Sequence, residues 1–153
     1  MIPMLQSPTG GLLTRKTDSY GSGAYLAART TGAVQRQHLG LDLVCDPGAA
    51  IVAPCDGMIT RIGFAYPGDL RYESIHIRPF DAPEVDVKLL YVACDFQQGD
   101  QVTRGEKIGR SQDLGAKYPG ITQHCHIEIL LDDEHIDPGL YLEAQVAGKN
   151  LTT

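Results

Sequence analysis

The sequence predicts a mainly β protein, an antiparallel β-sheet closed into a barrel-like sandwich with short peripheral helices and long loops. Three observations lead there. Apolar and polar residues alternate with period two over short runs, as in half-buried strands. Turn residues interrupt those runs at close intervals. Helical patterning is confined to two brief stretches, and no fixed-period repeat is present.

Residues 1–37 are rich in Pro and Gly and read as loop, with a helical turn or two expected over Ala24–Arg29, stopped by Gly32. Leu39, Leu41 and Leu43 alternate with His38, Gly40 and Asp42, which predicts a half-buried strand. Asp46-Pro47-Gly48 turns the chain, Ala50–Ala53 is a short strand, and Met58–Gly63 another. Ala65–Arg71 reads as a loop before a strand over Tyr72–Arg78. Val85–Cys94 reads as one long apolar strand. Val102 and Ile108 mark two short strands around Arg104-Gly105-Glu106. In His124–Leu131 the alternation is clean, with Cys125, Ile127 and Ile129 on one face and His124, His126 and Glu128 on the other. A short helix is expected over Leu140–Val146, closed by Gly148. The organisation this suggests is an extension over residues 1–35 packed on the domain, a domain over 36–146, and a tail over 147–153.

Composition narrows the function classes. The 153 residues are 42% hydrophobic and 21% charged, with a net charge of −6, which excludes a disordered or fibrous chain. An acidic chain without a basic run is a poor partner for nucleic acid, because phosphate neutralisation dominates that affinity. No apolar stretch approaches the roughly 20 residues needed to span a bilayer, so no membrane insertion is expected. The first residues, Met1 to Pro8, lack a basic region followed by an apolar one, so no signal peptide is expected and synthesis is assigned to the cytoplasm. Cys45, Cys55, Cys94 and Cys125 form no CxxC pair and are expected to be free, buried thiols.

The chemistry sits in two histidine arrangements. His124 and His126 share a strand face with Cα atoms about 6.6 Å apart, near enough for their imidazoles to converge on one ion and its water. His38 and Asp42 also share a face, but an extended strand separates them by about 13 Å. A bend at Gly40, or a turn entering the strand at His38, is needed to bring both to one zinc, whose donors lie about 2.0–2.2 Å away. Either pair alone is weak evidence. Both lie on polar faces of strands whose other faces are apolar, which points to a His/Asp/His metal site.

These residues resemble a known family. His38-Leu39-Gly40-Leu41-Asp42, then Ala53-Pro54-Cys55-Asp56-Gly57, then Gly99-Asp100 to Gly109, then His124-Cys125-His126-Ile127-Glu128 follow the pattern of the M23 (LytM, lysostaphin-type) zinc endopeptidases over residues 36–131. Asp18–Tyr25, Tyr118–His124 and Asp137–Leu142 are similar to its chemotaxin (LECT-two-type) branch. That branch is secreted and disulfide-bonded, and Thr17, Ser22, Asp86 and Leu130 stand where its cysteines are expected. The resemblance implies Zn2+ held by His38, Asp42 and His126, a proton-handling role for His124, and Glu128 as the hydrogen-bonding partner of a ligand histidine.

One departure matters. Catalytic members carry a histidine in a Tyr-x-His-Leu segment, and Ala93 occupies that place in Tyr91-Val92-Ala93-Cys94. His76 is expected to be a surface or structural histidine, and His135, in an acidic loop, a solvated one. The resemblance implies cleavage of peptide cross-links in bacterial peptidoglycan, or of another peptide. The alternative is a catalytically impaired zinc module that binds wall peptide or a protein partner. Without a signal peptide, delivery to periplasm or cell wall is expected through a secretion apparatus or a phage particle.

Overall fold

The computed structural model describes residues 2–31 and 34–145. Its strands are β1 (Leu5–Gln6), β2 (Ala28–Thr31), β3 (Val34–Gln37), β4 (Leu41–Val44), β5 (Ala50–Val52), β6 (Gly57–Tyr66), β7 (Asp69–Pro79), β8 (Val85–Leu90), β9 (Val92–Cys94), β10 (Gln101–Val102), β11 (Lys107–Ser111), β12 (His124–Leu131), β13 (Glu134–Ile136) and β14 (Leu142–Glu143). A single 3-10 turn, Pro138–Leu140, is the one helical element among the described residues. The mainly β, antiparallel expectation holds, with β1 and β14 adding one parallel pair.

Seven strands form the main sheet in the order β10-β6-β7-β8-β12-β13, with β4 pairing the first half of β12. A three-stranded sheet, β5-β11-β9, packs against it. The core fills the space between: Leu43, Ile59, Ile75, Ile77, Val87, Leu89, Ile127 and Ile129 from the large sheet meet Ile51, Val92 and Ile108 from the small one. Register explains why the site lies on the other side. Leu41, Ile127, Leu89 and Ile75 are cross-strand partners in one row and all are buried in that core. The next row, Asp42, His126, Leu90 and Ser74, therefore points to the opposite face.

Several elements differ from the sequence expectation. Ala28–Thr31 is a strand of a two-stranded hairpin rather than part of a helix, because backbone pairing with β3 outweighs a weak local preference; Gly32 lies outside the described residues. The expected loop Ala65–Arg71 shrinks to a turn at Pro67-Gly68. Tyr66 and Tyr72 carry the strands onward by packing on Tyr91 and Leu114, a contact that no local pattern announces. Val85–Cys94 is two strands. Tyr91, at φ +70°, turns the chain out of the large sheet and into the small one. In place of the tail helix, Asp137 caps the single turn by accepting from Gly139 N, and Leu142 then pairs with Leu5. Val146 and Gly148 lie outside the described residues. All four cysteines are free, but only Cys55 and Cys125 are buried; Cys45 and Cys94 are half-buried.

Candidate metal centre

The two histidine arrangements meet where β4 pairs with the first half of β12. β4 begins at Leu41, and the chain bends at Gly40, so the His38 backbone stays paired with Leu26 and Ala27 instead of extending the strand. Glycine is required at the bend. A Cβ there would lie 2.5 Å from both Cε1 and Nε2 of His126 and 2.6 Å from the Ile127 carbonyl oxygen. His38 and Asp42, far apart on an ideal strand, thereby come within 3.2 Å, Nε2 to Oδ1. His126, paired with Asp42 across the ladder, places Nδ1 at 2.9 Å from the same Oδ1 and 3.0 Å from His38 Nε2.

Hydrogen-bond partners fix the roles of the ring nitrogens. His38 Nδ1 donates to the Ala24 carbonyl at 3.0 Å, which leaves Nε2 as the lone-pair atom. His126 Nε2 faces Glu128 Oε2 at 2.9 Å and donates there, which leaves Nδ1. Two imidazole lone pairs and a carboxylate oxygen thus converge, each 2.9–3.2 Å from the others. Donors about 2.0–2.1 Å from a tetrahedral zinc stand roughly 3.3 Å apart, so the set fits that ion. The field of the site favours a cation too. Burial opposes charge on His126, yet Asp42 and Glu128 pull its pKa upward. Burial likewise opposes ionisation of Asp42, but where the two rings instead carry protons toward it, hydrogen bonds from His126 and His38 keep its carboxyl far below the carboxylate range.

The surrounding residues divide into those expected and those not. His124 is buried, gives Nδ1–H to the Thr122 carbonyl at 2.8 Å, and turns Nε2 to within 3.4 Å of Asp42 Oδ2. Burial lowers its pKa against the pull of Asp42, so it stays neutral and can accept a proton at Nε2. Glu128 bridges His126 and His135, its second oxygen 2.6 Å from His135 Nε2; these bonds bring its pKa to about 2 despite burial. His135 is thus a partner of that carboxylate rather than a solvated loop residue. His76 pairs with Asp86 at 2.9 Å, in the row that holds Lys88 and Glu128. Ala93 lies in β9 opposite Arg110 and brings no proton-bearing group.

Two neighbours escape a reading of the sequence. Arg15 donates through Nε to Asp42 Oδ2 at 3.0 Å from a stretch that shows no pattern. The Tyr91 ring stands edge-on to His124 at 5.5 Å, and its hydroxyl joins Tyr66 at 2.7 Å, which also receives Tyr118 at 2.7 Å. The signal for Tyr91 was its place beside Ala93 in the Tyr-x-His-Leu-like segment.

The sequence profile of peptidase family M23 matches residues 36–138. The chain belongs to peptidase family M23. Within the family it is similar to mouse (Mus musculus) leukocyte cell-derived chemotaxin-2, with 34% identity over 128 residues that cover 84% of this chain and 78% of the relative. Two solved M23-type structures share its fold. The antimicrobial peptidase lysostaphin from Staphylococcus simulans superposes with a TM-score of 0.66 at 19% identity, over 97% of this chain and 57% of that one. A zinc-containing peptidase from Vibrio cholerae gives 0.59 at 19% identity, over 90% and 40%. The chain spans little more than half of lysostaphin and less than half of the Vibrio protein. Arg15 lies outside the matched family segment.

Proposed function

We propose that this M23 chain is a zinc-dependent peptide hydrolase whose substrate is a peptide cross-link of bacterial peptidoglycan. The observation that carries the reading is the convergence of His38 Nε2, His126 Nδ1 and Asp42 Oδ1 beside a buried, neutral His124. Zinc, when bound, polarises a peptide carbonyl and makes water acidic near neutral pH. The protein's part is to hold and to move protons. His38, Asp42 and His126 form the three-ligand set that leaves a position open, as catalytic sites do. Glu128, anchored by His135, fixes the tautomer and plane of His126. His124 Nε2 is the nitrogen free to take a proton from attacking water and return it to the leaving amine.

A second reading rests on Ala93. Without a histidine there, one proton carrier or oxyanion donor is missing, a loss worth about 10²–10⁴ in rate. The 34% identity to chemotaxin-2, a relative whose name does not describe a peptidase, fits a zinc-binding module with little hydrolysis. Digestion of cross-linked muropeptides, followed by mass spectrometry, separates the two. Release of free peptide termini by the zinc-loaded protein, lost in His124→Ala with zinc retained, supports the hydrolase. Binding to the same muropeptides without cleavage supports the module.

A further inference from the structure

We propose that Arg15 is the positioning residue that presents Asp42 to the metal through a single oxygen. This rests on reading the His38, Asp42, His126 cluster as a metal centre. The two oxygens of Asp42 are divided. Oδ1 faces both ligand histidines, and Oδ2 accepts from Arg15 Nε at 3.0 Å. A carboxylate free at both oxygens can rotate or close on a metal through both. One whose outer oxygen is held by a planar guanidinium cannot.

Arg15 is itself immobilised. It is 3% exposed, and its Nη1 donates to Asp18 Oδ1 at 2.9 Å and to the Gly21 carbonyl at 2.7 Å. The backbone adds to this, because Arg15 N donates to Asp42 O and Gly23 N donates to Arg15 O. The segment lies so close that a Cβ on Gly23 would stand 2.6 Å from Arg15 Cβ and 2.7 Å from Asp42 Cβ. The other oxygen of Asp18 accepts from Thr122 N at 3.1 Å, two residues before His124. One Arg–Asp pair from the N-terminal segment therefore ties down the β4 and β12 sides of the site together.

The sign of the effect follows from that pair. A lone arginine beside a metal ligand repels the incoming cation, and its removal tightens binding. Arg15 is neutralised by Asp18 at 2.9 Å, so little repulsion is left and orientation dominates. Loss of such an outer partner costs about 10–100-fold in metal affinity. Arg29 is the control. Its Nη2 is 4.0 Å from Asp42 Oδ2 and hydrogen-bonds Ser22 O, so it shares the charge without holding the carboxylate.

The test measures Zn2+ affinity by competition with a chromophoric chelator, the visible absorption of the Co2+-substituted protein, and the melting temperature of the metal-free protein. The variants are Arg15→Ala, Arg15→Lys and Arg29→Ala. In Arg15→Ala, affinity should fall about 10–100-fold and cobalt absorption should weaken as Asp42 closes through both oxygens. Arg15→Lys keeps the charge but cannot reach every partner at once, and should lie between. Arg29→Ala should stay within about threefold of wild type. If circular dichroism shows Arg15→Ala unfolded, Arg15→Lys decides, and unchanged affinity and spectrum in it overturn the proposal. Wild-type affinity and spectrum in Arg15→Ala with a lower melting temperature reduce Arg15 to a packing role. Tighter binding in both alanine variants assigns the effect to charge. A wild-type protein that binds no zinc removes the metal reading as well, whereas the other contrary outcomes leave it standing.

Discussion

At the scale of residues, His126 and Glu128 are each held from two sides, and the pairing decides what each can do. His126 is gripped by Asp42 on one nitrogen and by Glu128 on the other, so its ring cannot turn away from the cluster. Replacing it leaves two first-coordination groups where three converge. His126→Ala and Asp42→Asn should each reduce zinc from about one per chain to trace, read by metal analysis of the purified protein. About one zinc retained by His126→Ala would contradict the assignment. The thiols give an independent check on the other face of β12. Burial pushes Cys55 up to about 12 and Cys125 well above its ordinary value, and burial also raises the half-buried Cys45 and Cys94. A disulfide-exchange reagent at pH 8 should react slowly with the native protein and with four groups in denaturant. Two or fewer groups in denaturant would mean that disulfides have formed.

At the scale of elements, the site depends on a bend and a switch of sheets. Gly40→Ala forces a methyl onto the His126 ring and the Ile127 carbonyl. Overpacking of that kind should cost roughly 1–3 kcal/mol in denaturant unfolding and lower zinc affinity with it. Wild-type values for both would show that the strand relaxes at no cost. The alternation in β12 was legible because it depends on period-two geometry that the chain itself encodes, and the His-x-x-x-Asp spacing was legible as a pattern whose closure depends on the bend at Gly40. The division of Val85–Cys94 at Tyr91 was not, since a continuous strand-like run says nothing about which sheet receives each half. Arg15 was hidden for a related reason. It reaches Asp42 across 27 positions, through a loop-rich stretch with no periodicity. His135 looked solvated because its partner Glu128 lies on the neighbouring strand and not in its own acidic loop. In β9, Ala93→His should raise hydrolysis of cross-linked peptides about 10–1,000-fold with zinc content unchanged, since residue 93 is no ligand. An unmoved rate would place the limiting deficit elsewhere.

At the scale of the whole molecule, the core and the centre occupy opposite faces of one sheet. The core between the seven- and three-stranded sheets is complete without the cluster, which differs from small domains that fold only around their metal. Removal of metal by a chelator should therefore lower the melting temperature while the far-ultraviolet circular dichroism stays that of a folded β protein. The size of the decrease should grow with zinc concentration as binding linkage requires. Wholesale unfolding on chelation would show that the sandwich does not stand alone. The central claim concerns three atoms, and anomalous diffraction from crystals of the zinc-loaded protein at the zinc edge locates their partner directly. The account predicts one strong peak about 2.0–2.2 Å from His38 Nε2, His126 Nδ1 and Asp42 Oδ1, with Asp42 Oδ2 still on Arg15. A peak elsewhere, or none there at full zinc occupancy by analysis, would contradict it.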